Sequence, residues 1–173
     1  MPTNVEIKAR VNNFERFRQA VEQISDMPCQ IIPQEDVFFC APHGRLKLRL
    51  LAKDRGQLIY YERPDSDAPK RSDYFIYSSA NPAELRHVLE RGLGLRGVVR
   101  KTRYLYMVKN TRIHLDQVEG LGDFMELEVV LGNNQTIEEG QAVALDLMTR
   151  LGICKEDLIH GAYMDLLEDK LRS

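Results

Sequence analysis

Residues 4–11 read NVEIKARV, and apolar and polar side chains alternate along the whole stretch. Val5 and Ile7 fall on one parity, while Glu6 and Lys8 fall on the other. Alternation with a period of two is typical of a β-strand, because successive side chains point to opposite faces of the sheet. The stretch therefore predicts a strand with one apolar face and one ionic face.

The same alternation recurs along the chain and predicts about eight strands. It is clear again at residues 46–50, 112–117 and 125–129. It is weaker at residues 35–40, 58–63, 73–77 and 98–108. A polar, proline-rich stretch at residues 64–70 predicts an exposed connection between strands.

Helical spacing of apolar residues predicts four helices. Their boundaries are an Asn13 cap for the first, Asn81-Pro82 to Gly92 for the second, Thr136 to Gly152 for the third, and residues 163–171 for the fourth. The predicted order is a strand and a helix, four strands, a helix, three strands and a helical end.

Length and composition exclude several classes of protein. A chain of 173 residues predicts a single domain spanning 1–173. With 43% hydrophobic and 29% charged residues it is neither a disordered chain nor a membrane-spanning one. The net charge of -2 gives no support for extended nucleic acid as a partner. Three widely spaced cysteines and the absence of an apolar leader lead us to expect a cytoplasmic protein.

The polar faces of these strands are unusually ionic. They carry the pairs Glu6 with Lys8, Lys47 with Arg49, Lys101 with Arg103, and Glu126 with Glu128. Like charges two residues apart on one strand repel each other, and they do so most strongly where water is excluded. Their recurrence in several strands therefore indicates charges that converge on a ligand.

A closed barrel would turn one face of every strand inward. With the ionic faces inside, the lumen must be wet and must hold a ligand, because unpaired buried charges are prohibitive. Arginine and lysine suit phosphate oxygens, and carboxylates suit Mg²⁺ or Mn²⁺, so the ligand indicated is a polyphosphate with a divalent metal. The opposite parity would give a lipocalin-like barrel for an apolar ligand, and periodicity alone does not choose between the two.

Several stretches occur in an order that resembles one known family. They are VEIKAR at 5–10, LKLR at 46–49, Arg63-Pro64, RKTR at 100–103, IHLDQVEGLG at 113–122, FMELE at 124–128 and YMDLL at 163–167. Together they resemble the CYTH, or triphosphate tunnel metalloenzyme, superfamily, which includes class IV adenylate cyclases, thiamine triphosphatases and inorganic triphosphatases. The family opens with Glu-x-Glu-x-Lys; Glu6 and Lys8 match its second and third positions, and Asn4 replaces its first.

The resemblance implies an α+β fold, a closed eight-stranded antiparallel β tunnel (barrel) with flanking helices, whose charged lumen holds a triphosphate and a metal ion. It implies Mg²⁺ or Mn²⁺ as cofactor, held by Glu6, Asp116, Glu126 and Glu128. For Asp116 the alternative is that it orients a neighbouring arginine. Asn4 brings no negative charge, so we expect weaker metal binding, loss of one metal site or a changed substrate.

The basic matches imply a site for the triphosphate, formed by Lys47, Arg49, Arg63, Lys101 and Arg103. For Arg63 a slip of one residue would place Glu62 inward instead. Lys8 and Glu6 are implied as catalytic residues, with Lys8 contacting phosphate or acting as a base. His114 shares the inward parity, and we expect it to be a structural histidine.

The expected function is metal-dependent hydrolysis of an organic or inorganic triphosphate. One alternative is a class IV adenylate cyclase that converts ATP to cyclic AMP and pyrophosphate. Another is a non-catalytic module that binds nucleotide or polyphosphate. The expected partner is a small-molecule triphosphate, without extended nucleic acid or membrane, and with a homodimer if the tail helix exposes Leu166 and Leu167.

Overall fold

The computed structural model describes residues 3–62 and 69–173. Its elements follow the predicted order. They are β1 (Thr3–Arg10), α1 (Phe14–Ile24), β2 (Gln30–Phe39), β3 (Arg45–Ala52), β4 (Arg55–Glu62), β5 (Lys70–Ser79), α2 (Pro82–Leu93), β6 (Leu95–Val108), β7 (Thr111–Val118), β8 (Gly122–Val130), α3 (Ile137–Arg150), a 3₁₀ turn (Lys155–Asp157) and α4 (Tyr163–Arg172).

The eight strands close into a barrel in the order β1-β5-β4-β3-β2-β6-β7-β8, and every neighbouring pair is antiparallel. β1 closes the sheet because it pairs with β5 on one side and with β8 on the other. Closure leaves none of the eight described strands at an open edge. The predicted α+β barrel with flanking helices is therefore confirmed.

The largest hydrophobic cluster lies outside the barrel, between the sheet and the helices. Ile7, Leu115 and Leu127 are almost fully buried there and pack with Val21 of α1 and Leu147 of α3. Burying a large aliphatic side chain contributes about 1.5–3 kcal/mol, so this face of the sheet is fixed toward the helices. The ionic parity consequently faces the lumen, and the lipocalin-like alternative is excluded.

Side-chain caps fix the helices where the sequence predicts them. Asn13 accepts a hydrogen bond from the Arg16 backbone N–H at 3.1 Å, and Thr136 forms a reciprocal capping box with Glu139. The predicted end of α2 at Gly92 is wrong: the helix continues to Leu93 and ends at Gly94, whose φ of 88° only glycine adopts readily. Within the described ranges, no helix is long and apolar enough to cross a membrane.

Three strands are longer than their alternation indicates. β2 begins at Gln30, β5 spans residues 70–79, and β6 begins at Leu95. The first half of β2 pairs only with β6. Because β3 does not run beside Pro33, the missing backbone N–H of this proline removes no hydrogen bond between β2 and β3. Of the predicted connection at 64–70, residues 64–68 lie outside the described residues, and Lys70 already belongs to β5.

The tail helix α4 packs against the barrel instead of presenting an apolar face. Tyr163 and Met164 are buried in a cluster with Phe38, Val99 and Phe124, which share the inward parity of their strands, and Leu166 and Leu167 pack against the same cluster. The condition on which a homodimer was expected is therefore not met by these two leucines.

Candidate functional site

The barrel encloses a cavity of about 280 Å³. Its walls differ in charge because neighbouring strands contribute different residue types. Strands β2, β3 and β6 form a basic wall, and strands β7, β8 and β1 form a wall rich in carboxylates. Strands β4 and β5 separate the two walls and contribute mainly tyrosine, isoleucine, serine and glutamine side chains.

One buried carboxylate on β2 positions the basic side chains of β3 and β6. Asp36 on β2 lies opposite Arg49 in the register, and its oxygens accept from Arg49 Nε at 2.8 Å and Nη2 at 2.9 Å. The same carboxylate accepts from Lys47 Nζ at 3.2 Å and lies 3.5 Å from Lys101 Nζ. Asp36 therefore holds three basic side chains close together in the lumen.

A second buried carboxylate holds Arg103 in the same way. Asp116 on β7 lies opposite Arg103 on β6, and both oxygens accept from its guanidinium at 2.8 Å. Asp116 also accepts from the hydroxyl of Tyr163 at 2.8 Å and is fully buried. This position favours the orienting role for Asp116 over metal ligation.

The crowded positive charges change the protonation of the basic wall. Burial raises the pKa of Asp36, but Arg49, Lys47 and Lys101 outweigh it and hold that pKa well below its usual range. Burial, only partly offset by Asp36, lowers the pKa of Lys47 to about 8. Burial and Arg103 lower the pKa of Lys101 well below its usual value. A bound anion would raise the pKa values of Lys47 and Lys101, so we expect these lysines to take up protons when an anion binds.

The opposite wall collects carboxylates through the register of three strands. Glu6 lies opposite Glu128 across β1 and β8, and Glu126 lies opposite His114 across β8 and β7. Lys8 Nζ on β1 lies 3.4 Å from Oε2 of Glu126 on β8. Arg112 Nε donates to Glu128 at 2.9 Å.

Three side chains on this wall are spaced as ligands of one cation. Each of His114, Glu126 and Glu128 offers a ligand atom, and these atoms all lie within 4.8 Å of one another. Carboxylate oxygens with an imidazole nitrogen suit a divalent metal ion. Burial and Arg103 lower the pKa of His114 to about 4, so its ring is neutral near pH 7 and keeps a lone pair. The residues present thus fit the implied metal.

The structure places most of the predicted site residues in one cavity. Glu6, Lys8, Lys47, Arg49, Lys101, Arg103, Glu126 and Glu128 all line it. Asp116 lies behind Arg103, as its two bonds to that guanidinium require. Arg63 lies outside the described residues. Glu62 is exposed and accepts a hydrogen bond from Tyr60, so the slip that would turn it inward is absent from this described part of β4.

Three further residues of the lumen were missed from the sequence. Arg112 has the same parity as His114 and Asp116, so the alternation of β7 contained its signal. Asp36 had none, because the mixed stretch DVFF carries apolar side chains on both parities. Tyr163 enters from α4, and its ring lies 4.1 Å from Lys8 Nζ and 4.9 Å from Lys101 Nζ, which no strand pattern can predict.

Comparisons with known proteins agree with this fold. A family model described as the CYTH domain matches residues 2–163. Adenylate cyclase CyaB from Aeromonas hydrophila is 26% identical over 177 residues, which cover 96% of this chain and 90% of the relative. The structure of the PH1012 protein from Pyrococcus horikoshii is 30% identical, with a TM-score of 0.83 over 94% of this chain and 98% of the other.

A more distant structure resembles the chain in fold alone. HpAC1 from Hippeastrum, described with a dominant triphosphatase activity, is 15% identical. Its TM-score is 0.61 over 88% of this chain and 89% of the other.

Proposed function

The chain belongs to the CYTH domain family, and we propose that it hydrolyses an organic or inorganic triphosphate in the lumen of its barrel with the help of a divalent metal ion. One observation carries the proposal. A wall of four basic side chains faces a wall of carboxylates across a single cavity of about 280 Å³. A triphosphate with its metal ion needs both kinds of wall at once.

The basic wall binds the phosphate oxygens. Asp36 and Asp116 each engage Nε and Nη2 of one arginine, so within the described structure the Nη1 groups of Arg49 and Arg103 stand available as donors. The two carboxylates fix the planes of the guanidinium groups before substrate enters. Preorganised donors stabilise the charge that develops on a reacting phosphate without a reorganisation cost during the reaction.

Glu126 and Glu128 would hold the metal ion, with Glu6 beside them on β1. When bound, a divalent ion neutralises phosphate oxygens and lowers the pKa of a bound water. Lys8 lies between Glu126 and the ring of Tyr163, so its ammonium group can neutralise charge on the reacting phosphate. In this proposal Lys8 and Glu6 act directly at the reacting centre.

The nucleophile separates hydrolysis from cyclisation. Water attacking phosphorus gives a triphosphatase, whereas a ribose 3′-hydroxyl attacking the α-phosphorus gives cyclic AMP and pyrophosphate. Cyclisation also requires a pocket for the adenine ring and exclusion of water from the α-phosphorus, whereas hydrolysis requires neither. Hydrolysis therefore demands less of this site, and we prefer it for that reason.

Two other functions have some support. The likeness to CyaB from Aeromonas hydrophila, which is named an adenylate cyclase, supports a cyclase. Asn4, which places a neutral amide where the family motif has a carboxylate, supports a non-catalytic module that binds triphosphate. Both remain alternatives that product analysis separates from hydrolysis.

The decisive test is product analysis with purified full chain. ATP, thiamine triphosphate and inorganic triphosphate are each incubated with Mg²⁺ or Mn²⁺. We expect release of phosphate from at least one of them. Cyclic AMP with pyrophosphate as the main products would select the cyclase, and tight binding without any product would select the binding module.

Binding of inorganic triphosphate should weaken above about pH 8. The free-state pKa of Lys47 is about 8, and a bound anion raises it, so affinity is full below this pH and falls as pH rises through it. The loss can approach about tenfold per pH unit for one proton. Calorimetric titration between pH 6.5 and 9.5 measures it.

Lys47→Arg is the matched control, since arginine stays charged throughout this range. Titration of the triphosphate itself affects both proteins equally, so it cancels when the pH profile of one binding affinity is subtracted from that of the other. Parallel pH profiles for wild type and Lys47→Arg would show that Lys47 does not control binding.

A further inference from the structure

We infer that His114 is a nitrogen ligand of the divalent ion and that it makes the lumen select Mn²⁺ over Mg²⁺. The inference rests on the proposed function, because it takes the lumen to bind a divalent ion with its triphosphate. It adds what the family motifs leave out, a ligand that is not an oxygen.

The position of His114 carries the inference. The residue lies on β7, opposite Glu126 of β8, and its Nε2 is 3.9 Å from Oε2 of Glu128. That distance is too long for a hydrogen bond. It is a separation that two ligands of one ion can have, and the ligand atoms of all three side chains lie within 4.8 Å of one another.

The surroundings of His114 do not explain it as a structural histidine. Its side chain is 5% exposed, and Nδ1 is buried and has no hydrogen-bond partner among the described residues. On its other side the register places Leu105 of β6, which offers no polar side-chain group. No described protein group therefore fixes the ring at Nδ1, which needs an ordered water as its partner, while Nε2 is the nitrogen that lies toward Glu128 and would bind the ion.

The chemistry of the ring sets the selectivity. Imidazole nitrogen is a softer ligand than carboxylate oxygen and suits transition ions, whereas Mg²⁺ prefers oxygen ligands in near-ideal octahedral geometry. Asn4 also favours Mn²⁺ over Mg²⁺. Its buried Oδ1 has no hydrogen-bond partner in the described structure, and it brings no negative charge to the wall that would hold a hard cation.

Pulsed electron paramagnetic resonance of bound Mn²⁺ tests the assignment directly. The full chain is frozen with Mn²⁺, alone and with inorganic triphosphate, in a buffer free of nitrogen. Because inorganic triphosphate contains no nitrogen, a directly bound ¹⁴N signal must come from the protein. We expect ¹⁴N modulation typical of a coordinated imidazole, and its replacement by ¹⁵N modulation when histidine is labelled with ¹⁵N.

Two variants extend the test. His114→Asn should abolish the nitrogen modulation and weaken Mn²⁺ binding about tenfold or more, at least as much as losing an outer-shell partner does, while changing Mg²⁺ binding much less. His87→Asn is the matched control, because His87 is exposed on α2 and should leave the spectrum unchanged. The labelling experiment needs no variant and holds even if His114→Asn folds poorly.

Each contrary result is distinguishable from failure of the proposed function. The assignment would be overturned if no Mn²⁺ bound, or if Mn²⁺ bound without nitrogen modulation. It would also be overturned if the modulation survived His114→Asn, or if that substitution lowered Mn²⁺ and Mg²⁺ affinity equally. Phosphate release by the same preparation would show that hydrolysis stands without it. Histidine-derived modulation with no turnover of any triphosphate would support the ligand and contradict the hydrolase.

Discussion

Replacing Glu126 and Glu128 together by glutamine should reduce metal-dependent turnover by about a thousandfold or more. The two carboxylates project from β8 into the lumen and lie in the group that can hold a divalent ion. Charge stabilisation by such an ion is worth several kcal/mol, and each 1.36 kcal/mol corresponds to a factor of ten in rate. Initial rates of phosphate release at saturating Mg²⁺ or Mn²⁺ measure the effect.

A second measurement on the same variant separates a metal role from a structural one. Removing the two carboxylates leaves the positive charges of Lys8 and Arg112 without the partners that they have on β8. Binding of inorganic triphosphate without metal should therefore be retained or become tighter while turnover is lost. Loss of both would indicate damage to the barrel.

Glu119→Gln is the control for the change from carboxylate to amide. Glu119 is exposed in the turn between β7 and β8, outside the cavity. Its replacement should leave the rate unchanged. Near-normal turnover by the Glu126 and Glu128 double variant would remove both residues from the metal site.

Arg103→Met should lower the free energy of unfolding by about 3–5 kcal/mol, because removing one partner of a buried ion pair leaves the other charge uncompensated. Asp116 is the charge that would be left. It is fully buried, and both of its oxygens accept from Arg103. Chemical denaturation of wild type and variant measures the difference.

Adding Asp116→Asn to Arg103→Met should recover more than half of that loss, since no unpaired charge then remains. Tyr163 can still donate to the amide oxygen that replaces the carboxylate. If the effects of Arg103→Met and Asp116→Asn on the free energy of unfolding were simply additive, the pairing of Arg103 with Asp116 would be contradicted.

The same two variants test the binding of substrate. A hydrogen bond to a charged group is worth roughly 1.5–3 kcal/mol, so both variants should bind inorganic triphosphate about 10- to 150-fold more weakly. Orthophosphate, which cannot span the basic wall, should be affected much less. Equal losses for the two ligands would argue against a triphosphate site built around Arg103.

The sequence predicted which side chains share a face of each strand because alternation is local information, whereas it was the family resemblance that implied that the ionic faces point inward. Within a strand the parity of Glu6 fixes that of Lys8, and a helix-facing Ile7 then requires both to point inward. The order of helices and strands could also be predicted, because apolar residues recur with a different period in helices than in strands.

What could not be predicted depends on pairing between distant strands. Nothing near Asp36 indicates that Arg49 and Lys101 will meet it, because that contact exists only once β2 lies between β3 and β6. Tyr163 likewise reaches Asp116 only after α4 has packed on the barrel. The choice between metal ligation and orientation for Asp116 needed this tertiary information.

A crystal structure of the full chain with inorganic triphosphate and Mn²⁺ tests the central claim most directly. The account predicts triphosphate density in the lumen against Arg49 and Arg103, and an anomalous manganese peak beside Glu126 and Glu128. Triphosphate bound only on the outer surface, with a lumen that holds water alone at saturating ligand, would contradict it.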